Sequence, residues 1–228
     1  MQNLNYYDLY WSRRGKESCS DPIPLWLPNW LVKYSEYGAI LNQIPQGSKI
    51  LDLGCGDGNV TRLYAVKGDM VGVDVSGKAL TQTKKRGIKT VQHDLNILPY
   101  PFQQGSFDVI VLTDVLEHLI DPLATLRECK RILRKNGRII VTVPNFARLG
   151  NRFRMFLGDP IDILHFDKYG DEVEHLHWFT KPKLIYLARK AGFKTTDFVP
   201  SGLRNLNFLF GLVGIPQFGK FLTVNFIK

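Results

Sequence analysis

Cysteine is scarce in this chain of 228 residues, which has only Cys19, Cys55 and Cys129. These residues are too scattered for a disulfide framework or a paired metal site, so we expect a reducing compartment and predict no metal. No apolar run reaches the roughly 18 residues that a membrane-spanning helix needs. The first residues have neither the basic start nor the apolar core of a signal peptide. Together these absences predict a cytoplasmic protein.

Charge is the second compositional feature. Lys and Arg number 30 against 21 Asp and Glu, which gives a formal net charge of +9 and an isoelectric point near 9.5. This basic balance favours an acidic partner, such as a phosphate, a glycolipid, a nucleic acid or a membrane surface. The hydrophobic content of 44% and the charged content of 22% are ordinary for one α/β domain of this length.

The segment from residue 49 to residue 59, Lys-Ile-Leu-Asp-Leu-Gly-Cys-Gly-Asp-Gly-Asn, predicts a buried strand, a tight turn and the start of a helix. Glycines in such a turn let a ligand approach the backbone, and the helix start offers N–H groups to it. A dinucleotide fingerprint needs its third glycine at position 59, where this chain has Asn. Asp52 would repel a pyrophosphate and instead suits a ligand with a positively charged amino or sulfonium group.

Strands and helices alternate through most of the chain. The predicted strands are 48–53, 70–75, 89–92, 106–113 and 138–143, with a sixth at 193–199 and a seventh at 220–227. The predicted helices between them are 60–67, 76–87, 121–137 and 180–191. This order predicts an α/β fold with a doubly wound, mostly parallel seven-stranded Rossmann-like sheet and helices on both faces.

Two segments lie outside this alternation. Residues 1–48 are predicted to form a helical extension that serves as a lid, with apolar side chains at helical spacing between Trp30 and Ile44. Residues 49–228 are predicted to form the ligand-binding domain, and within it residues 145–178 are predicted to be an insertion over the site.

Four segments of the chain resemble the class I S-adenosylmethionine-dependent methyltransferases. In chain order they are Leu-Asp-Leu-Gly-Cys-Gly-Asp-Gly, Val-Gly-Val-Asp-Val-Ser, Phe-Asp-Val-Ile-Val-Leu-Thr-Asp-Val-Leu-Glu-His, and Leu-Arg-Lys-Asn-Gly-Arg-Ile-Ile-Val-Thr-Val-Pro-Asn. The resemblance covers residues 47–145 and, more loosely, residues 175–199. It implies that the cofactor is S-adenosyl-L-methionine and that the product is S-adenosyl-L-homocysteine.

The predicted cofactor contacts come from the carboxyl ends of the strands, where an open α/β sheet binds its ligands. Asp74 is predicted to accept both ribose hydroxyls, as an acid about 20 residues past the glycine loop does in dinucleotide folds; a turn-forming role is the alternative. The resemblance implies that Asp94 accepts the adenine amine and that Leu95 stacks on the ring; an Asx-turn is the alternative for Asp94. The full predicted set is Asp52, Gly54, Cys55, Gly56, Gly58, Asp74, Val75, Asp94, Leu95 and Thr113.

Asp114, Glu117 and His118 follow the fourth strand and are the predicted catalytic residues, facing the methyl acceptor. His118 could be a general base for an acceptor hydroxyl, because its unperturbed pKa is about 6.5. The chain also resembles the ubiquinone-pathway O-methyltransferases, in which a similar acid-x-x-Glu-His arrangement is linked to a divalent cation. In a third reading, Glu117 and His118 only start a helix and have a structural role.

The insertion contains His165, His175 and His177 among several acidic residues. Scattered histidines of this kind more often belong to a polar loop than to a zinc site. The segment His-Trp-Phe-Thr that begins at His177 resembles the entry to the helix before the sixth strand in related methyltransferases. One of its side chains is therefore predicted to reach the acceptor pocket.

The sequence thus predicts an enzyme that transfers a methyl group to a small-molecule, lipid or glycan acceptor, preferably at oxygen, with no nucleic-acid partner. Residues 143–146 and the insertion also resemble the methionine-biosynthesis methyltransferase-like protein, which supports an acyltransferase partner. The alternative is therefore a cofactor-binding accessory subunit without turnover of its own. Asn59 and Asp52 disfavour a third class, the nicotinamide oxidoreductases.

Residues 203–218 are unusually apolar for a connection. Arg148, Arg152 and Arg154 alternate with apolar residues in what the pattern predicts to be an amphipathic helix beside them. We predict that residues 203–218 cover the substrate pocket or form a dimer contact, or else that they dock shallowly on an anionic membrane.

Overall fold

A computed structural model describes residues 7, 8, 11, 36–158, 164–166, 172–201 and 221–228. Its helices are α1 (Glu36–Gln43), α2 (Thr61–Tyr64), α3 (Gly77–Lys85), α4 (Pro122–Ile132), α5 (Leu149–Phe156) and α6 (Lys181–Lys190). Its strands are β1 (Ser48–Leu53), β2 (Gly68–Asp74), β3 (Lys89–Gln92), β4 (Phe107–Thr113), β5 (Leu133–Pro144), β6 (Leu164–Phe166), β7 (Glu172–Glu174), β8 (Lys194–Ser201) and β9 (Phe221–Ile227). Short 3₁₀ turns occur at Ala65–Lys67 and Leu116–His118.

Seven of the strands form one sheet in the order β3-β2-β1-β4-β5-β9-β8. The five strands from β1 to β5 pair in parallel, whereas β9 runs antiparallel to both β5 and β8. The prediction of a mostly parallel seven-stranded sheet is therefore confirmed. The strand order reverses between β1 and β4, and a sheet of this type binds its ligand at the carboxyl ends beside that point.

Both faces of the sheet are buried, because alternate side chains of each central strand enter different cores. Leu51 and Leu53 of β1 belong to a core that also contains Leu126 of α4 and Leu184 of α6. Ile50 belongs to a second core on the opposite face, which contains the following side chains of α1, α2 and the neighbouring strands: Ile40, Ile44, Tyr64, Met70, Val109, Val111 and Ile140. The continuous apolar runs in the sequence are explained by this burial on both sides.

Three helices begin at the side-chain caps that the sequence indicates. Ser76 Oγ accepts a hydrogen bond from Ala79 N at the start of α3, and Asp121 Oδ1 accepts one from Ala124 N at the start of α4. Thr180 Oγ1 accepts one from Lys183 N at the start of α6. Each cap gives a partner to an N–H group that the helix itself leaves unpaired.

Two predicted boundaries are wrong. The helix predicted to continue to residue 137 ends at Ile132, because Leu133 pairs with Phe107 and starts β5 five residues before the predicted strand. A buried Leu satisfies a helical and a strand pattern equally well, so the sequence could not separate the two. The strand predicted over residues 70–75 begins two residues earlier, at Gly68. The helix predicted over residues 60–67 does end before Gly68, as a single α-helical turn followed by a 3₁₀ turn.

The flanking segments are described only in part. The predicted helix between Trp30 and Ile44 is present as α1, and the residues before Glu36 lie outside the described ranges except Tyr7, Asp8 and Trp11, which are helical. The insertion contains α5 and an antiparallel β6–β7 hairpin. The predictions for 203–218 lie outside the described residues. Among the residues described, none of the helices is long and apolar enough to span a bilayer.

Candidate active site

The loop after β1 needs glycine for two separate reasons. Gly54 and Gly56 have φ values of +78° and +53°, in the left-handed region that residues with a Cβ avoid. A Cβ on Gly54 would also lie 2.3 Å from Cγ2 of Val115, the residue that leads from β4 into the acceptor side of the site. The loop after β1 therefore lies directly against the segment after β4, and the strand order reverses between these two strands.

Asp74 at the end of β2 ties this loop to the start of α3. Its Oδ2 accepts a hydrogen bond of 2.8 Å from Gly56 N, and its Oδ1 accepts one of 2.9 Å from Ser76 N. Burial raises the pKa of the Asp74 carboxyl, while the backbone hydrogen bonds from Ser76 and Gly56 act in the opposite direction. A carboxylate oxygen can accept more than one hydrogen bond, so the turn-forming bonds do not exclude the predicted ribose contacts.

Asp52 has a different position from that of Asp74. Its carboxylate is buried and accepts a 2.7 Å hydrogen bond from the Thr61 hydroxyl of α2. Burial raises its pKa to about 7, with the Thr61 hydrogen bond lowering it and the charge of Asp74 raising it further. In the structure Asp52 fixes the glycine loop to α2, and its contact with a positively charged ligand stays a prediction.

The other predicted cofactor residues are spread around the same rim. The Cys55 side chain is buried, its thiol donates to the Gly56 carbonyl of the same loop, and burial raises the pKa of the thiol far above the usual range. Asp94 Oδ1 accepts hydrogen bonds from the Asn96 N–H and side-chain amide, which is the Asx-turn named as its alternative role. Leu95 lies in the core. The Val75 carbonyl accepts a bond from Gln92.

Residues of the N-terminal segment lie on the glycine loop. A Cβ on Gly56 would lie 2.5 Å from Cζ2 of Trp11, so the indole packs directly on this glycine. Asp8 accepts a short hydrogen bond from the Ser76 hydroxyl and another from Lys78 N at the start of α3. The bond from Ser76 is the main cause of a lowered Asp8 pKa. Trp11 and Asp8 therefore join the N-terminal extension to the glycine loop and to α3, and the role of the extension as a lid stays a prediction.

The acceptor side of the site is formed by the turn after β4. Glu117 is buried, and His118 ends the 3₁₀ turn that begins one residue after Val115. The His118 ring lies 4.8 Å from the ring of His175, measured between centroids. One ligand atom from each of Glu117, His118 and His175 lies within 4.8 Å of the others.

Asp114, the third predicted catalytic residue, lies at the end of β4 with a φ of +53°. A left-handed conformation at a residue other than Gly is uncommon and is concentrated at functional sites. Its N–H donates to the Thr142 carbonyl of β5. Among the described residues it is not one of the three whose ligand atoms converge.

His175 and His177, which the sequence analysis assigned to a polar loop, lie against the turn after β4. The His177 N–H donates a 3.0 Å hydrogen bond to the Glu117 carbonyl, which brings the segment before α6 against the turn after β4. Nε2 of His177 is buried and has no hydrogen-bond partner. A resemblance in the segment from His177 to Thr180 was the one signal for this approach, and it did not identify His175.

The residues present fit an S-adenosylmethionine molecule. The glycine loop has left-handed backbone at Gly54, Gly56 and Gly58, and residues without a Cβ let a ligand approach the backbone closely. Thr113 Oγ1, at the carboxyl end of β4, is buried without a hydrogen-bond partner and could donate to a bound group. The acids Asp52 and Asp74, beside the loop, suit a cationic ligand.

Known proteins share this sequence pattern. A ubiquinone biosynthesis O-methyltransferase of Aromatoleum aromaticum is 26% identical over 174 residues, which cover 73% of this chain and 72% of the relative. An uncharacterized protein of Methanocaldococcus jannaschii is 32% identical over 115 residues, covering 50% of this chain. The match spans about half of that relative, 53% of its length.

Solved structures share the fold. A methyltransferase of Thermotoga maritima, described as a possible histamine N-methyltransferase, has a TM-score of 0.64 at 18% identity over the whole of both chains. A methyltransferase of Haloferax volcanii, solved in complex with the Trm112 activator, has a TM-score of 0.62 at 18% identity, covering 98% of this chain and 96% of that one.

The family itself is shown by its sequence model. The model of the methyltransferase domain matches residues 31–197, which include the glycine loop, the turn after β4 and α6. The chain therefore belongs to the methyltransferase-domain family, as a class I member that uses S-adenosylmethionine.

Proposed function

We propose that this protein transfers a methyl group from S-adenosylmethionine to a hydroxyl oxygen of a small-molecule, lipid or glycan acceptor, with His118 as the general base. The observation that carries the proposal is the His118–His175 pair at 4.8 Å beside buried Glu117. These side chains lie one short turn away from Val115, which packs on the glycine loop. The base is therefore close to the loop that is predicted to hold the methyl donor.

An imidazole meets the chemical need of this reaction. S-adenosylmethionine supplies an already activated methyl group, so the protein mainly has to orient the acceptor and exclude water. An acceptor hydroxyl must also lose its proton as the new bond to carbon forms. A neutral His118 can accept that proton near neutral pH, because the unperturbed pKa of histidine is about 6.5.

Glu117 and His175 are the groups that can position His118. Glu117 lies in the same turn and is buried, so water does not compete for its carboxylate. The carboxylate can therefore orient the neighbouring imidazoles of His118 and His175. The tilt of 53° between the two imidazole rings leaves the pair unstacked. The names of the relatives from Aromatoleum and Bordetella, which state O-methyl transfer in ubiquinone biosynthesis, support oxygen as the acceptor atom.

A divalent cation at Glu117, His118 and His175 is the second candidate for this cluster. One carboxylate and two imidazoles are a donor set for zinc, manganese or iron, and a less suitable one for magnesium. If a cation is held there, it would polarise the acceptor oxygen, and the imidazoles would serve as ligands in place of a base. The same three residues support both candidates, so experiment must separate them.

The experiment measures S-adenosylhomocysteine release by the purified chain with a panel of phenols, lipid alcohols and glycans. His118→Gln should lower turnover by about 10²–10⁴ while leaving cofactor affinity unchanged. His93→Gln is the matched control, because His93 also follows a strand, and its ring contacts the Ile97 carbonyl and the Tyr100 ring and is not one of the three converging groups of the cluster. Full activity of the His118 variant would contradict the proposed base.

Two further arms separate the alternatives. Loss of turnover on chelation, restored by manganese or zinc, would assign the cluster to a cation. Absence of turnover in every arm, together with cofactor binding, would favour the accessory-subunit alternative.

A further inference from the structure

Helix α5 presents its apolar side chains to solvent. The exposed fractions are 62% for Phe153, 54% for Met155, 84% for Phe156 and 65% for Leu157, and Leu149 is also exposed. In a helix that packs on a protein core, these would be the buried residues. A cluster of large apolar side chains in solvent normally marks a binding surface.

Hydrogen bonds from polar side chains tie α5 to the segment that leads into it from β5. Its one buried residue is Asn151, whose side-chain amide donates a 2.9 Å hydrogen bond to the Phe146 carbonyl. Arg148 Nε donates to the Asn151 side chain, and Arg152 Nε donates to the Ala147 carbonyl. The helix is thus fixed through its backbone connection, and its apolar side chains are left for another surface.

Within α5 and its described flanks, residues 145–158, the charged side chains have one sign. Residues 145–158 contain Arg148, Arg152 and Arg154 and no Asp or Glu. Arginines next to exposed Phe, Met and Leu form the combination that lies at the interface of an anionic bilayer, where each cation adds to the attraction. The chain as a whole carries a formal charge of +9, which acts in the same direction.

The apolar surface continues to the acceptor side of the active site. Trp178 is partly exposed, and its ring stacks on the ring of Phe146. Phe146 lies two residues before Arg148, the N-cap of α5. Leu176, between the two site histidines, and Ile120, two residues after His118, are also exposed. Ile120 and Phe146 follow the carboxyl ends of β4 and β5, at the edge of the sheet where the site opens. Leu176 and Trp178 lie at the same edge, because the His177 N–H between them donates to the Glu117 carbonyl in the turn after β4.

We propose that α5, through Leu149, Phe153, Met155, Phe156 and Leu157 with its flanking arginines, docks this protein on an anionic membrane surface. Docking by this helix places the acceptor side of the active site at the bilayer. The surface is argued from exposure and charge alone, so it does not depend on whether His118 is a base.

Sedimentation of the full chain with vesicles tests the proposal. The protein should pellet with phosphatidylcholine vesicles that contain about a third phosphatidylglycerol, and it should remain in the supernatant with phosphatidylcholine alone. Raised salt should weaken the binding, because screening reduces the attraction between arginines and lipid headgroups. Binding that is equal for both vesicle types would overturn the proposal, as would protein that stays in the supernatant with both.

A pair of variants tests whether α5 is the docking element. Phe153→Ser combined with Phe156→Ser should weaken binding to the acidic vesicles by at least about tenfold, because two apolar anchors are lost. Val66→Ser is the matched control, since Val66 is 65% exposed in the 3₁₀ turn before β2, at the opposite edge of the sheet. Cofactor affinity should be unchanged in both, which shows that they fold.

Unweakened vesicle binding by the double variant would overturn the assignment to α5. A stable self-association or protein complex that the double variant abolishes, without vesicle binding by the wild type, would also overturn it and give the surface to a protein partner. Methyl transfer to a soluble acceptor is measured separately, so failure of docking leaves the proposed reaction untouched.

Discussion

Asp74 has two tasks at the residue scale. It accepts hydrogen bonds from Gly56 N and Ser76 N, and its remaining lone pairs are available for the ribose hydroxyls. Asp74→Ala should weaken S-adenosylmethionine binding by about 2–3 kcal/mol, because both hydroxyls would lose a charged acceptor and the loop its tie. Titration calorimetry measures this change. Asp69→Ala, an exposed site at the other end of the same strand, is the control, and equal affinities in the two variants would refute the ribose role.

Asp52 makes stability depend on pH. Burial raises the pKa of its carboxyl to about 7, whereas in the unfolded chain it is near 3.9. The folded state binds this proton more tightly, so the contribution of Asp52 to stability is fully present below about pH 4 and is lost as the pH rises through about 7.

Asp52→Asn keeps an acceptor for the Thr61 hydroxyl and removes the titration. The melting temperature of the wild type should therefore fall relative to that of the variant between about pH 4 and pH 7. Thermal scans of the cofactor-free protein across this range measure the difference. Asp69→Asn, at an exposed position, should follow the wild type, and parallel profiles for Asp52→Asn would show that the carboxyl is ionised throughout.

At the scale of elements, the N-terminal segment should report on the cofactor. Trp11 packs on Gly56, so a ligand at the glycine loop must change the surroundings of this indole. We expect cofactor titration to change the tryptophan fluorescence of the wild type and of Trp178→Phe, whose ring lies at Phe146 on the acceptor side. The same titration should give little change in Trp11→Phe. A full signal in that variant would place the segment away from the bound cofactor.

The elements around the glycine loop could be predicted because their signals are local. The strand–glycine–helix segment, Asp74 and the caps at Ser76 and Asp121 each depend on residues a few positions apart. The approach of His175 to His118 could not be predicted in this way. It depends on the backbone bond between His177 and Glu117, which joins segments far apart in the chain and has no sequence signature.

Element ends show the same limit. Leu133 fits the apolar face of a helix and also the inner face of a strand, and only its pairing with Phe107 makes it a strand residue. The predicted lid and the apolar segment 203–218 were inferred from the spacing and number of their apolar residues. Composition alone could not show that Trp11 lies on the loop or that α5 exposes its apolar face.

At the scale of the whole molecule, β9 closes the core. Phe226 is fully buried on β9 and its ring packs near Phe193, which precedes β8. Phe226→Ala should lower the free energy of unfolding by about 3–5 kcal/mol, because the change leaves a cavity in the core. Denaturant titration followed by circular dichroism measures the loss. Ile227→Ala, at the half-buried next position, should cost much less; equal losses would contradict a core role specific to Phe226.

The position of β9 between β5 and β8 also sets an order of assembly. The parallel strands β1 to β5 can join from successive strand–helix units, whereas β8 is an edge strand that reaches the sheet only through β9. Strand pairing across long loops is slow, since the loop must close before the contacts form. Refolding followed by pulsed hydrogen exchange should therefore protect the amides of β8 and β9 together, after those of β1 and β4. Folding of this protein would thus finish at the antiparallel edge, the side of the sheet away from the glycine loop.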